Sequence, residues 1–356
     1  MKNDLNIYKK LKVLVTGSTG FKGSWLCFWL NLLEARVVGV GLKPEKDSII
    51  FKKLKLEKKI KQYYLNIVDF KKLNKIIKKE KPDIIFHLAA QSIVSESYID
   101  PLKTINFNVV GSSNILESCR INKVKNLVYI TSDKCYLNDN RKNSYKENDR
   151  LGGKDVYSSS KAASEIIFFS YHKSFFNKNK TVKYASARAG NVIGGGDMKK
   201  DRIVPDIIKS IMTKKSIFLR NPKAIRPWQH VLESLYGYLI LGNFLINNKL
   251  SKNKIPNWNF GPNSSNYKNV LSLTKKIIFN WNLKNKVIKI KKENFHESSI
   301  LKLNNQKAQK ELKWKPKLNF NQTIKLTVDW YKALKNNDKL EKITEKQIAF
   351  FLKKRS

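Results

Sequence analysis

An apolar run from Leu11 to Val15 passes through Thr16 into Gly17-Ser18-Thr19-Gly20-Phe21-Lys22-Gly23, and then into a helical pattern that puts Trp25, Leu26, Trp29, Leu32 and Leu33 on one face. The order is strand, glycine turn, helix. Each glycine has a physical task there. Gly17 permits a tight turn, Gly20 lets backbone amides approach a diphosphate, and Gly23 lets the helix pack close to the sheet, with the helix's positive N-terminus facing the phosphates. Directly after a strand, and this near the start of a domain, the pattern favours a dinucleotide site over an incidental turn. The second strand, Arg36 to Val40, runs on into Gly41-Leu42-Lys43 without the carboxylate that would grip an adenosine ribose. NAD and NADP both stay open by that route, and Lys43 reads as a solvated lysine.

Working outward, further apolar strands are predicted at Ile84-Ile85-Phe86-His87-Leu88, at Leu127-Val128-Tyr129-Ile130 and at Lys183-Tyr184-Ala185-Ser186-Ala187, with lysine-rich helical stretches between them. Strands alternating with helices imply an α/β protein with a doubly wound parallel sheet of the Rossmann type. The rhythm breaks after Arg188. The stretch Asn191 to His230 is rich in glycine, proline and arginine and reads as loops around a ligand. Helical periodicity returns from Val231 to Leu245. Trp258-Asn259-Phe260-Gly261-Pro262 reads as a short strand entering a turn, and another strand is expected near Val287 to Ile290.

Length and composition narrow the class. A chain of 356 residues with 41% apolar residues suits a cofactor domain and a smaller second domain sharing one cleft. No apolar run approaches the roughly 18 residues of a membrane span. The stretch Met1 to Leu11 lacks an apolar signal segment, and the three cysteines (Cys27, Cys119, Cys135) are odd in number and far apart, which points to a reducing cytoplasm. The formal charge of +43 would ordinarily suggest nucleic acid. Here the excess is lysine spread from Lys9 to Lys354, with no stripe of arginines interleaved with aromatics, so no nucleic-acid partner is expected. Only nine positions are arginine, and Arg188, Arg202, Arg220 and Arg226 fall in one short stretch.

The chemistry-bearing residues lie further along. Tyr157-Ser158-Ser159-Ser160-Lys161 places a tyrosine and a lysine one helical turn apart on the same face. A phenol is a poor base at neutrality, and a neighbouring ammonium together with an oxidised nicotinamide would favour the phenolate. Thr131-Ser132-Asp133-Lys134 follows a strand, at the edge where open parallel sheets bind ligands, so Ser132 can hydrogen-bond the same substrate hydroxyl as Tyr157. Arg188 directly follows a strand and reads as a structural ion pair.

The glycine turn, a serine after the fourth recognised strand and Tyr-x-x-x-Lys, in this order, resemble the extended short-chain dehydrogenase/reductase superfamily, as do His87-Leu88-Ala89-Ala90-Gln91 and Asn108-Val109-Val110-Gly111. Within it the chain is most similar to the CDP-glucose 4,6-dehydratases. The likeness is carried by Gly20-Phe21-Lys22-Gly23-Ser24-Trp25-Leu26, Thr131-Ser132-Asp133-Lys134-Cys135-Tyr136, Glu147-Asn148-Asp149 with Gly152-Gly153, and Arg188-Ala189-Gly190-Asn191-Val192-Ile193-Gly194-Gly195-Gly196-Asp197. It continues through Arg220-Asn221-Pro222, Arg226-Pro227-Trp228-Gln229-His230-Val231, Asn259-Phe260-Gly261-Pro262 and His296-Glu297. Relatives acting on dTDP-glucose or GDP-mannose typically carry Asp-Glu where this chain has Asp133-Lys134, so Lys134 marks the CDP-glucose branch. Asn66 stands where relatives generally have an aspartate near the adenine, and Ser95 where close relatives often have arginine.

The resemblance implies a sheet domain over 1–190, with about 229–262 returning to it, and a nucleotide-sugar domain over 191–228 and 263–356. It implies NAD as cofactor, held by Gly17, Thr19, Gly20, Phe21, Lys22, Gly23, Ile67, Leu88, Ala89, Ala90, Gln91, Asn108, Thr131, Tyr157 and Lys161. Ser132, Asp133, Lys134, Tyr157 and Lys161 would be catalytic, and Asn191, Arg202, Arg220, Arg226 and His296 would bind the nucleotide-sugar, CDP-glucose; no metal is implied. Tyr157, with Ser132 and Lys161, would be the base for the carbon 4 hydroxyl, Lys134 would remove the carbon 5 proton, and Asp133 would protonate the leaving hydroxyl. The product would feed deoxysugar and surface-polysaccharide synthesis. A homodimer through helices around Thr104 to Arg120 and Tyr157 to Tyr171, or a higher homo-oligomer, is also implied. Two alternatives remain open: a dehydratase or 4-epimerase for another nucleotide sugar, and a non-catalytic basic binding protein.

Overall fold

The computed structural model describes residues 3–45, 48–177, 181–248, 250, 255–284, 286–290 and 301–354. Its centre is a seven-stranded, all-parallel sheet of β1 (Lys12–Thr16), β2 (Arg36–Gly41), β3 (Lys61–Tyr64), β4 (Ile84–His87), β5 (Asn126–Ile130), β6 (Lys183–Arg188) and β7 (Asn257–Asn259). The spatial order is β7-β6-β5-β4-β1-β2-β3. The chain therefore winds outward from β1 in one direction, returns, and winds outward from β4 in the other. The crevice outside the carboxyl ends of β1 and β4 is where such a sheet takes its ligand.

Side chains alternate across the sheet. Val13, Val15, Phe86, Val128 and Ala185 face one apolar layer with Trp25 and Trp29 of α1 (Phe21–Leu32). Leu14, Val38, Ile85, Leu127 and Tyr184 face another, built on Ile77 of α2 (Phe70–Glu80), Ile115 of α3 (Gly111–Ile121) and Phe168 of α4 (Val156–Tyr171). α5 (Val231–Asn247) lies in the first layer, with Leu235, Tyr238, Leu239 and Leu241 buried. Burial on both faces explains the continuous apolar runs of the central strands.

Two elements depart from the sequence expectations. β3 was not expected, because Lys61-Gln62-Tyr63-Tyr64 shows neither an apolar run nor strict alternation; as an edge strand it needs only β2 as a neighbour. The stretch Asn191 to His230, expected as loops, contains the helix Ile203–Met212. Ile207, Ile208 and Ile211 bury its inner face, and Pro205 lies in the first turn, where a missing N–H breaks no helical bond. The strand expected at Trp258 joins the sheet edge as β7, and that expected near Val287 appears as Ile288–Ile290, paired with Ile217–Leu219.

One buried acid ties the C-terminal segment to the sheet layer. The Glu233 carboxylate on α5 accepts the amides of Lys317 at 2.8 Å and Leu318 at 2.6 Å. Burial pushes it up to about 7, against the pull of those amides and of Lys317. The folded chain therefore keeps this proton over a range in which the unfolded chain, with a glutamate near its ordinary 4.5, has lost it. Stability from this group is full below about pH 4.5 and falls as pH rises to about 7, by about 3 kcal/mol in all. In urea denaturation at pH 5 and pH 8, Glu233→Gln should lose less stability between the two than the parent does; equal losses would remove Glu233 from this role.

Candidate active site

The glycine turn closes the amino-terminal side of the cleft. Gly17 adopts φ +71°, and its amide donates to the Val40 carbonyl at 2.7 Å. A Cβ at Gly17 would lie 2.8 Å from the Ala89 nitrogen, and one at Gly23 would lie 2.0 Å from the Gly17 carbonyl oxygen. Glycine is required at both for close backbone approach. Thr19 donates its hydroxyl to Leu42 at 2.9 Å and Ser18 donates to Gln62 at 2.9 Å, which hold the turn. α1 starts after Gly20 with no side chain capping it, so its first-turn amides are left to bind an anion. This cradle fits the diphosphate of a dinucleotide. Beneath it, His87 bridges Thr16 (2.7 Å) and Ser112 (3.0 Å), and burial holds its imidazole neutral, down to about 3.

A cleft of about 900 Å³ brings the turn together with Ser132, Asp133, Lys134, Tyr157 and Lys161 and with Asn191, Arg202, Arg220 and Arg226. Tyr157 and Lys161 project from the first turns of α4, whose N-cap Asp155 accepts the Ser158 amide at 2.8 Å and the Ser158 hydroxyl at 2.7 Å. Ser132, in extended backbone just past β5, donates to Asp133 at 3.0 Å. The Asp133 carboxylate also accepts from Asn191 at 3.3 Å and occupies the space that a Cβ on Gly190 would need, 1.8 Å from that position. Lys134 is half-buried at the cleft wall.

Burial dominates the titration of the Tyr157–Lys161 pair. In the chain alone the Tyr157 phenol is pushed up, to about 12, because burial outweighs the Ser132 hydrogen bond and the Arg202 guanidinium that favour the phenolate. Asp133 and Asp155 add to the burial, against Arg202. Lys161 is itself pushed down to about 8 by burial, against Cys135 and Glu165.

Behind Tyr157 and Lys161 lies a buried polar network. Glu165, one turn beyond Lys161 on α4, accepts from Thr131, from Ser186 at 2.9 Å and from Arg188 at 2.7 Å. Arg188 also donates to the Tyr136 hydroxyl at 2.7 Å and to the Glu147 carbonyl at 3.0 Å, and Tyr136 donates to Asn259 at 2.8 Å. The Arg188–Glu165 side chains are 3% and 2% exposed. Arg188 is thus the structural ion pair expected of it. Glu165 was missed in the sequence, although its spacing of four from Lys161 on a helix was the available signal.

The remaining expected residues divide by location. Thr19, Phe21, Lys22, Ile67, Leu88, Ala89, Ala90, Gln91 and Thr131 line the cleft. Asn108 is not among the lining residues; it lies behind the wall, accepting the Gln91 amide at 2.9 Å and donating to Ser160 at 2.9 Å, so it supports the site instead of facing it. Arg202 is held by Asp197 at 2.8 Å and Ser92 at 2.6 Å. Arg220 donates to the Asp201 carbonyl at 2.9 Å, and Ser95 donates to the Asp201 carboxylate at 2.9 Å. Arg226 is buried on Ile225–Pro227. His296 lies outside the described residues. Among the described residues, no cluster of three or more His, Cys, Asp or Glu is arranged to hold a metal ion, and no helix is long and apolar enough to cross a membrane.

Comparison with known proteins bears on family and fold. Residues 14–327 match the family described as GDP-mannose 4,6 dehydratase. The chain is 38% identical over 356 residues, 98% of each chain, to a CDP-glucose 4,6-dehydratase of Salmonella typhimurium. It is 30% identical over 231 residues, 60% of this chain and 50% of the other, to a dTDP-D-glucose 4,6-dehydratase of Dictyostelium discoideum. Among solved structures it is similar in fold to a dTDP-glucose 4,6-dehydratase from Bacillus anthracis in complex with NAD, with a TM-score of 0.75 at 20% identity, covering 93% of this chain and 99% of that one.

The Glu165 network leads to a stability prediction. Glu165→Ala leaves the Arg188 guanidinium buried without its counter-ion, and the unfolding free energy measured in urea should fall by about 3–5 kcal/mol. A loss under about 1 kcal/mol would show that the pair does not anchor α4 to the sheet.

Proposed function

This chain belongs to the GDP-mannose 4,6 dehydratase family, and on that premise we propose that it is an NAD-dependent nucleotide-sugar dehydratase acting on CDP-glucose. The observation that carries this reading is the convergence, in one cleft, of the diphosphate cradle with Ser132, Asp133, Tyr157 and Lys161. The choice of nucleotide is supported by the likeness to the Salmonella enzyme over nearly the whole chain and by Lys134 beside Asp133.

The reaction converts CDP-glucose to CDP-4-keto-6-deoxyglucose and water. The dinucleotide, when bound, supplies the hydride acceptor at the start and the hydride donor at the end. The chain supplies the proton chemistry. Tyr157, with Ser132 at its hydroxyl, receives the proton of the carbon 4 hydroxyl as that carbon becomes a ketone. The phenol starts protonated, so it must be made basic in the complete complex, where a cationic nicotinamide adds to the Arg202 guanidinium. The ketone acidifies the proton on carbon 5, which Lys134 removes, and Asp133 protonates the hydroxyl leaving carbon 6. As carbon 6 is reduced, Lys134 returns its proton to carbon 5, and the proton held by Tyr157 replaces the one that left Asp133 with water. Gly190 leaves room for the Asp133 carboxylate, and Asn191 orients it.

Arg202 and Arg220, with Arg226 and Asn191, serve the nucleotide-sugar diphosphate, since guanidinium forks match its oxygens in a way lysine does not. Asp197 and Asp201 hold the first two in place until the substrate arrives. His296 is assigned to the nucleotide from the resemblance. Residues 1–190 and about 229–262 form the cofactor domain in this reading, 191–228 and 263–356 the substrate domain, and the enzyme works in the cytoplasm. It pairs as a homodimer. On the helical side opposite α1 and α5, Ile99 is 81% exposed, Leu102 71% and Ile166 54%, an apolar patch that a second copy would cover.

Incubation with CDP-, dTDP-, GDP- and UDP-glucose should give a keto-deoxy product from CDP-glucose alone; turnover of dTDP-glucose without CDP-glucose would overturn the substrate assignment. In single turnover, Tyr157→Phe should abolish reduction of bound NAD, whereas Lys134→Ala should permit reduction and block loss of water by at least about a hundredfold. Sedimentation of Leu102→Asp/Ile166→Asp should show monomers against a dimeric parent, and an unchanged sedimentation coefficient would move the interface elsewhere.

A further inference from the structure

Lys22 is more than the glycine turn requires. It is the second residue of α1, and its side chain reaches the Tyr238 hydroxyl on α5 at 3.1 Å, with the amine 5.4 Å from the centre of that ring. Tyr238 is fully buried. Among the described residues no carboxylate forms an ion pair with Lys22. The charged groups that act on it are Lys161 from α4, Arg202 from the loop before Ile203–Met212, and Asp133 from the loop after β5. Arg202 is already paired with Asp197 at 2.8 Å, and Asp133 already accepts from Ser132 and Asn191, so Lys22 has no carboxylate of its own across the cleft. Burial, then Lys161 and Arg202, push the Lys22 amine down to about 7, and Asp133 opposes them. At the same time the backbone of Lys22 belongs to the uncapped first turn of α1, where the diphosphate of a dinucleotide would lie.

We propose that Lys22 makes dinucleotide binding proton-linked: its amine takes up a proton from solvent when the diphosphate enters the cleft, and the ammonium so formed is the counter-ion of the bound dinucleotide. This rests on the cofactor reading above. The physical cause is charge balance. In the empty cleft, a further positive charge beside Lys161 has no carboxylate of its own, because Asp197 is taken by Arg202. A diphosphate brings two negative charges to the end of the same helical turn, which makes the protonated amine the favoured form. A backbone cradle alone would bind the dinucleotide equally well with any side chain at this position, and without proton uptake.

Titration calorimetry of the full chain with NAD at pH 8, in two buffers of different ionisation enthalpy, reads the uptake directly. The parent should take up close to one proton per dinucleotide at pH 8 and much less at pH 6, and its Kd should weaken by up to about tenfold per pH unit above about pH 7. Lys22→Arg, whose charge is permanent, should bind NAD with no such uptake and with a flat pH profile. Lys22→Met should also lose the uptake and bind about ten- to a hundredfold more weakly at pH 7. Should the methionine variant fail to fold, the arginine variant alone decides. NAD binding by the parent without proton uptake, or uptake that persists in Lys22→Arg, overturns the proposal and leaves the cofactor reading intact. Failure of the parent to bind NAD at all overturns the cofactor reading and the proposal with it.

Discussion

The structure depends on a backbone contact at the point where the sheet reverses its winding. Gly17, in left-handed backbone after β1, lies so close to Leu88 and Ala89 after β4 that a Cβ would fall within 3 Å of their main chain, and Gly23 brings α1 equally close to Gly17. These approaches hold together the carboxyl ends of two strands whose paired residues, such as Thr16 and His87, are 71 positions apart. His87, bonded to Thr16 and Ser112, supports the same junction from below. Crevice and cradle both follow from it, because the first turn of α1 is aimed by the packing that makes the turn tight.

The second constraint is electrostatic and lies on the far side of the cleft wall. A helix carrying Tyr157 and Lys161 would be free to slide on an apolar sheet, since apolar packing has no direction. The Glu165 carboxylate supplies the direction by accepting from Thr131 on the loop after β5 and from Ser186 and Arg188 on β6. The pair is costly to desolvate and costly to break, which makes it a register device more than a source of stability. Through Tyr136 and Asn259 the same network reaches β7, so the edge strand and α4 share one set of hydrogen bonds.

Within the cleft, burial governs the titrating groups. It raises the phenol and lowers two lysines, and the charges around them adjust those shifts without reversing them. Most of the +43 formal charge is exposed lysine with no bearing on this balance. What matters is the small set of basic groups on the cleft wall: Lys161, which is buried, and Lys22 and Arg202, which are half-buried, with Arg188 and Arg202 each held by its own acid. Asp197 is taken by Arg202 and Asp133 accepts from Ser132 and Asn191, so Lys22 is left without an acid of its own, which is the complement of an anionic cofactor.

The sequence by itself determined the features written in local spacing. The glycine turn could be read from three glycines after an apolar strand, the Tyr157–Lys161 pair from its interval of four, and the central strands from runs that only two-sided burial explains. Arg188 could be read as structural from its place at a strand end, but not its partner. The tertiary structure decided the rest, because those relations join residues distant in the chain. Lys22 meets Tyr238 216 positions away, Arg188 meets Tyr136 52 positions away, and β7 pairs with β6 although Asn257 and Ser186 lie far apart. Edge strand β3 carried no pattern because half its hydrogen bonds face no neighbour, and the helix Ile203–Met212 was masked by the glycine, proline and arginine around it. The sign of the Tyr157 shift was beyond any motif: a neighbouring cation can be guessed from spacing, whereas the cost of burying a charge is set by everything packed around it.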